Sequence, residues 1–223
     1  MQRSRKYNVL VFDFDGTLAD TFSDIAWCME RTFAHFAEPA PDESAVRAVM
    51  SRPLEVSIPK LRGKQSPPEE VARWVCFYRS IYNGERERRT SLFPGAKELL
   101  ERVTGDGVPA LVVSNKGSVA VASELDRLGV REHIQTIFAA DAVLYQKPDP
   151  RLYHAEIKAH FPQFADREVL VIGDTEADIR FAQNAGLACC WAAYGYGNRD
   201  ECLRLKPDWI IQSLGELNSL VIS

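Results

Sequence analysis

The chain has 223 residues, of which 46% are hydrophobic and 26% charged, and its formal net charge is −4. That length and composition are ordinary for a globular protein with one good-sized domain, or with a core and a smaller insert. The small negative charge gives no electrostatic reason to expect nucleic acid or an anionic membrane as a partner, and no apolar run approaches the roughly 20 residues of a membrane-spanning helix.

The cysteine pattern predicts a reducing compartment. The five cysteines form no C-x-x-C pair, and the adjacent Cys189 and Cys190 are poor disulfide partners. Buried thiols in a cytoplasmic protein are therefore expected.

Short apolar runs alternate with amphipathic stretches along most of the chain, which is the pattern of an α/β protein with a parallel sheet covered on both faces. The predicted strands are Val9–Phe12, Ala110–Val113, Thr136–Phe138, Val169–Ile172, Ala188–Ala192 and Trp209–Ile211. The predicted helices of this part lie at about 95–105, 117–128, 151–160, 176–185 and 214–220.

One long stretch interrupts this alternation. Between about Thr21 and Arg89 the sequence predicts helices at Ile25–Phe36, Asp42–Met50 and Glu69–Tyr82, with prolines between them and no convincing strand. A connection of about 70 residues is far longer than a usual loop after a strand. We therefore expect an inserted all-helical cap domain at 21–89, and a catalytic core formed by 1–20 and 90–223.

Polar residues follow three of the predicted strands, and another lies in a loop between strands. Asp13 and Asp15 come directly after the first strand, Ser114 and Asn115 after the next core strand, and Asp174 and Asp178 after Val169–Ile172. Lys147 lies in the loop that precedes Val169–Ile172. In open parallel sheets, ligands bind beyond the carboxyl ends of the strands. These side chains are therefore expected to share one site.

The residue types suit phosphoryl transfer. Charge spreads over the phosphoryl oxygens during transfer, so such a site needs cations and hydrogen-bond donors, which Ser114 and Lys147 offer. Mg²⁺ binds through a few carboxylates and otherwise keeps water or substrate oxygens, and Asp13 and Asp174 could supply those carboxylates. The turn that Gly16 predicts lets the Asp15 side chain point away from that of Asp13. One carboxylate can then attack the phosphoryl group while the other donates or accepts protons.

These segments resemble, in order, the four motifs of the haloacid dehalogenase superfamily. Asp13-x-Asp15-Gly16-Thr17 resembles the first motif, Ser114 the second, Lys147 the third and Gly173-Asp174-x-x-x-Asp178 the fourth. The resemblance covers the whole core outside the helical stretch. It implies a Rossmann-like parallel-sheet core with a helical cap inserted after the first strand.

The resemblance also implies roles for individual residues. Asp13 would be the nucleophile and Asp15 the general acid and then the base. Mg²⁺ would be held by Asp13, the backbone carbonyl of Asp15 and Asp174, with Asp178 in support. The phosphoryl group would be bound by Ser114, Asn115 and Lys147.

Among members of the superfamily, the chain most resembles phosphoglycolate phosphatase and related enzymes with a helical cap. The expected activity is Mg²⁺-dependent hydrolysis of a small phosphorylated metabolite through a phosphoaspartyl intermediate, by a monomer or homodimer. Two alternatives stay open: a phosphomutase of the β-phosphoglucomutase type and a non-catalytic phosphate-binding scaffold. In the cap, Arg52 is the first candidate to bind an anionic group of the substrate, because it precedes Pro53 in a short loop between helices.

Overall fold

The computed structural model describes residues 6–50, 52–84 and 87–218. The residues up to Asp20 and those from Ser91 onward form one compact unit, and Thr21–Thr90 form a second. The first unit is called the core below, and the second the helical unit.

The strands are β1 Val9–Phe12, β2 Ala19–Asp20, β3 Ser91–Leu92, β4 Ala110–Ser114, β5 Thr136–Ala139, β6 Val169–Gly173, β7 Ala188–Ala192 and β8 Trp209–Ile211. The α-helices are α1 Phe22–His35, α2 Glu43–Arg47, α3 Leu54–Arg62, α4 Pro68–Asn83, α5 Ala96–Gly105, α6 Ser118–Arg127, α7 Glu176–Ala185 and α8 Arg199–Arg204. Short 3₁₀ turns lie at Arg131–His133, Lys158–His160, Asp166–Glu168 and Leu214–Glu216.

A six-stranded parallel sheet forms the centre of the core, in the order β5-β4-β1-β6-β7-β8. Leu10 of β1 lies between Ala110 of β4 and Leu170 of β6, so the first strand is central. The predicted α/β fold with a parallel sheet is thereby confirmed. The carboxyl ends of β1, β4 and β6 consequently lie side by side at one edge of the sheet.

Both faces of the sheet are covered, which explains why its strands are continuously apolar. Leu10 and Phe12 pack into a cluster that contains residues of α5 and α6, such as Leu99 and Val121. Val9 and Val11 point to the other face, into a cluster with residues of α7. Successive side chains of a strand alternate between its faces, so a strand with two covered faces has no exposed polar position.

One predicted helix of the core is wrong in type, and another is only partly α-helical. The stretch at 151–160 is a π-helical turn at Leu152–Ile157 followed by a 3₁₀ turn. The stretch at 214–220 begins with the 3₁₀ turn Leu214–Glu216 and is α-helical at 217–218, while 219–220 lie outside the described residues. The hydrophobic spacing that predicts an α-helix fixes only which side chains face the sheet, and Leu152, Tyr153 and Ile157 are buried there in a wider turn.

The helical unit is built around aromatic packing. The ring of Trp74 in α4 lies 5.0 Å from that of Phe33 and 4.3 Å from that of Phe36. The nearly buried guanidinium of Arg62 bonds to Glu38 at 2.7 Å and to Glu70 at 2.8 Å. These contacts join α1, α3 and α4.

Helix α3 was not predicted, because prolines at 53 and 59 indicated a break. Pro59 lies inside the helix, where a proline removes one backbone donor and usually interrupts the helix. Ile58 is buried, so packing against the rest of the unit offsets that cost.

None of the helices in the described part of the chain is long and apolar enough to cross a membrane. Four of the five cysteines are buried as expected, whereas Cys76, on the outer face of α4, is exposed.

Candidate active site

The loop after β1 presents two aspartates to two different cations. The carbonyl of Phe14 accepts the N–H groups of Leu18 and Ala19, and Gly16 takes the left-handed conformation that closes this turn, at φ 85°. Asp13 lies 2.9 Å from the ammonium of Lys147, while Asp15 accepts a 2.8 Å bond from Lys116. The turn thus separates the two carboxylates.

Lys147 joins Asp13 to the loop after β6. Its ammonium lies 2.5 Å from Oδ1 of Asp178 as well as 2.9 Å from Oδ1 of Asp13, and its side chain is only 4% exposed. The other oxygen of Asp178 accepts bonds from the N–H and hydroxyl of Thr175, at 3.0 and 2.7 Å. Asp178 therefore fixes Lys147 against the start of α7, and Lys147 in turn holds the Asp13 carboxylate.

Asp174, at the end of β6, is completely buried, and both of its carboxylate oxygens accept hydrogen bonds. Oδ1 accepts from the hydroxyl of Thr17 at 3.0 Å, and Oδ2 accepts from the backbone N–H of Tyr196 at 2.7 Å. Two loops far apart in the sequence therefore hold this carboxylate.

The carboxylates of Asp13, Asp174 and Asp178 form the acidic cluster of the site. One oxygen of each lies within 4.8 Å of the others. When all three carboxylates are ionised, the single ammonium of Lys147 leaves two negative charges in a largely buried place, which a divalent cation would neutralise. Oxygen ligands of this kind are those that Mg²⁺ prefers, so the donor set fits the ion that the sequence predicted.

The pKa values of these groups reflect this charge imbalance. Burial, with the charges of Asp178 and Asp15, raises the pKa of Asp13 to about 7, although Lys147 opposes the shift. Burial and the neighbouring Asp13 and Asp178 likewise raise the pKa of Asp174 well above its ordinary value. Burial alone would lower the pKa of Lys147, but the two aspartates more than offset it and raise that pKa.

The remaining predicted residues lie as follows. Ser114 ends β4, is buried, and accepts the N–H of Lys116 on its hydroxyl oxygen at 3.2 Å. The Asn115 side chain donates a long 3.4 Å bond to the carbonyl of Lys147. Arg52 is exposed between α2 and α3 of the helical unit, and its proposed contact with substrate stays a prediction.

Two participants in this arrangement were missed by the sequence reasoning. Lys116 directly follows the predicted pair Ser114-Asn115. Its ion pair with Asp15 could not be inferred, because Lys116 and Asp15 are about 100 residues apart in the chain. Tyr196 contributes a backbone N–H, which any residue type carries. The only signal for it was the unusual Tyr194-Gly195-Tyr196-Gly197 run.

The family model described as "Haloacid dehalogenase-like hydrolase" matches residues 10–192, which include every predicted site residue, whereas Tyr196 lies beyond the match. Among relatives, the phosphoglycolate phosphatase of Yersinia pseudotuberculosis is 28% identical over 214 residues, covering 93% of this chain and 90% of that protein. The phosphoglycolate phosphatase of Vibrio parahaemolyticus is 28% identical over 219 residues, covering 96% and 95%.

A solved structure shares the fold. It is described as a predicted phosphoglycolate phosphatase from Haemophilus somnus, with a TM-score of 0.84, 24% identity, and coverage of 96% of this chain and 98% of that one. The match of the family model over most of the chain confirms the resemblance found in the motifs: the chain belongs to the haloacid dehalogenase-like hydrolases.

Proposed function

We propose that the protein is a Mg²⁺-dependent phosphatase that hydrolyses a small phosphate monoester through a phosphoaspartyl intermediate on Asp13. The observation that carries the proposal is the mostly buried Asp13 carboxylate, held by Lys147 and the N–H of Phe14 beside two further aspartates. Phosphoglycolate is the first candidate substrate, because relatives that match nearly the whole chain carry that enzyme's name.

In the first half of the reaction, a carboxylate oxygen of Asp13 attacks phosphorus and forms a P–O bond. The bond between phosphorus and the ester oxygen breaks, and Asp15 donates its proton to that oxygen. The Lys147 ammonium and the Ser114 hydroxyl bind the phosphoryl oxygens. Asp13, Asp174 and the backbone carbonyl of Asp15 would hold Mg²⁺, which supplies positive charge that keeps Asp13 ionised and stabilises the transferring group.

In the second half, a water molecule attacks the phosphorus of the phosphoaspartyl group. Asp15, now ionised, accepts the proton of that water, and the bond between phosphorus and Asp13 breaks to release inorganic phosphate. The carboxylate of Asp13 is regenerated, and Asp15 is again protonated for the next cycle. Lys147 keeps its bond to Asp178, so its charge stays beside the reacting group throughout.

The test is phosphate release from a panel of monoesters that includes phosphoglycolate, sugar phosphates and nucleotides, with Mg²⁺ and with a chelator. We expect metal-dependent turnover by the wild type and a loss of at least 1,000-fold in Asp13→Asn, because an amide cannot serve as the nucleophile. Asp106→Asn, which changes an exposed aspartate at the end of α5, is the matched control and should keep full activity.

The intermediate is tested separately by reducing the acyl phosphate with borohydride, which should convert Asp13 to homoserine only when substrate is present. Turnover that persists in Asp13→Asn would contradict the mechanism. Isomerisation of a sugar phosphate without net phosphate release would favour the mutase, and a folded, Mg²⁺-binding protein with no turnover of either kind would favour a silent scaffold.

A further inference from the structure

The segment after β7, Tyr194–Gly197, passes directly over Asp174. The N–H of Tyr196 donates to Oδ2 of Asp174 at 2.7 Å, on the side of the carboxylate opposite to the Thr17 bond. Each carboxylate oxygen has room for more than one hydrogen bond or ligand, so this contact orients Asp174 and leaves it able to bind a cation.

Two positions of this segment are glycine because neighbouring atoms leave no room for a Cβ atom. A Cβ at Gly195 would collide with Cβ of Asp174 and with the carbonyl oxygen of Gly16, and one at Gly197 would collide with the carbonyl oxygen of Asp174. Neither glycine has a positive φ, so the backbone conformation itself would accept alanine. Both positions therefore serve the close approach of the segment to Asp174.

The tyrosine side chains anchor the same segment at two places. The hydroxyl of Tyr194 donates to the carbonyl of Thr17 at 2.8 Å, and that of Tyr196 donates to Oδ1 of Asp20 at 2.7 Å. The ring of Phe93, just beyond β3, lies 4.9 Å from that of Tyr194. The segment is thus fixed to the loop that carries Asp13 and to the β2–β3 pair.

From these contacts we propose that Tyr194–Gly197 is a positioning element that presents the Asp174 carboxylate to the metal, and that metal affinity depends on the close approach at Gly195. The inference rests on the proposed function, because it concerns the Mg²⁺ of that reaction. Tyr196 is assigned a role through Asp174 and no contact with the substrate or the reacting atoms.

Calorimetric titration of the metal-free protein with Mg²⁺ tests the proposal without any turnover. Gly195→Ala should weaken Mg²⁺ binding at least tenfold, because the added methyl group displaces the segment from Asp174. Tyr196→Phe keeps the N–H but loses the bond to Asp20, so it should weaken binding about threefold. The control is Gly107→Ala, which strains a positive φ of 74° far from any neighbouring atom and should bind Mg²⁺ as the wild type does.

Kinetics provide the second measurement. In both test variants the Mg²⁺ concentration for half-maximal activity should rise, while the KM for substrate at saturating Mg²⁺ stays unchanged. A variant that only disturbed the structure would not change the first quantity without the second. If Gly195→Ala does not fold, Tyr196→Phe decides. If the folded test variants bind Mg²⁺ with wild-type affinity, the proposal is wrong. If the wild type itself binds no Mg²⁺, both the Mg²⁺ dependence of the proposed function and this inference are wrong.

Discussion

The ion pair between Lys116 and Asp15 indicates a role for Lys116, which the motifs did not identify. The two charged groups lie 2.8 Å apart, and both side chains are mostly buried. In the proposed reaction Asp15 must meet the ester oxygen in the first half and a water molecule in the second. An ammonium group that holds its carboxylate in place therefore reduces the positions that Asp15 can take.

We expect Lys116→Met to lower kcat about tenfold on every monoester that the wild type hydrolyses, because the proton donor loses its support. Steady-state kinetics on phosphoglycolate and on ethyl phosphate, which lacks the carboxylate, would measure this. Lys116→Arg keeps the positive charge and should retain most of the activity. A selective loss on phosphoglycolate alone would show instead that Lys116 binds the carboxylate of the substrate.

Much of the core site was accessible to sequence reasoning because each residue ends a strand or lies beside one. Parallel strands place such residues at one edge, so Asp13, Asp174, Asp178 and Lys147 were predicted to meet, and the structure brings them together. The bond from Tyr196 to Asp174 was not accessible, because a backbone donor leaves no trace in residue type. The glycines at 195 and 197 indicate that the chain passes close to other atoms, but not which atoms those are.

At the scale of the elements, a buried carboxylate ties the two ends of the helical unit together. Asp24, in the first turn of α1, is 1% exposed. It accepts the N–H groups of Arg89 and Thr90 at 3.0–3.2 Å and the hydroxyl of Thr90 at 2.6 Å. The chain therefore leaves this unit directly beside the helix with which it entered.

Asp24→Asn should destabilise the protein by about 1–3 kcal/mol, because the amide keeps one acceptor oxygen and brings a buried N–H₂ group towards three donors. Urea unfolding followed by circular dichroism would measure the change. Asp42→Asn is the matched control, because Asp42 caps α2 at the surface and asparagine caps equally well. Equal costs for the two variants would contradict the structural role of Asp24.

The helices of this unit show where prediction from local patterns stops. Helices α1 and α4 were predicted within a few residues because their apolar positions recur at helical spacing. Helix α3 was missed, since the local rule for proline at Pro59 is overridden by tertiary packing. The two-residue strands β2 and β3 were also missed: they are defined by pairing with each other, and so short a run has no period to recognise.

For the molecule as a whole, the raised pKa of Asp13 makes the metal-free protein sensitive to pH. The ordinary value of 3.8 is expected in the unfolded chain, whereas the folded value is about 7. The folded state therefore holds this proton more tightly, and the associated stability is present below pH 4 and lost as the pH rises through 7.

Asp13→Asn removes that titration while keeping an oxygen for the N–H of Phe14. We expect the variant to be more stable than the wild type by about 1–3 kcal/mol at pH 8 and by much less at pH 5, in metal-free buffer. Thermal unfolding at the two pH values would show this. Mg²⁺ should stabilise the wild type more at pH 8 than at pH 5, because a carboxylate must lose its proton to bind the ion. Differences that do not change with pH would contradict the raised pKa.

The indole of Trp191 donates a 2.8 Å bond to the carbonyl of Asp174 and is almost completely buried. Of the chain's four tryptophans, Trp27 and Trp74 belong to the helical unit, while Trp191 and Trp209 belong to the core. Trp209 instead bonds to the hydroxyl of Tyr7. A variant that keeps Trp191 as its single tryptophan would therefore carry a built-in optical reporter beside Asp174, whose emission could follow the arrival of an ion or a phosphate without any added dye.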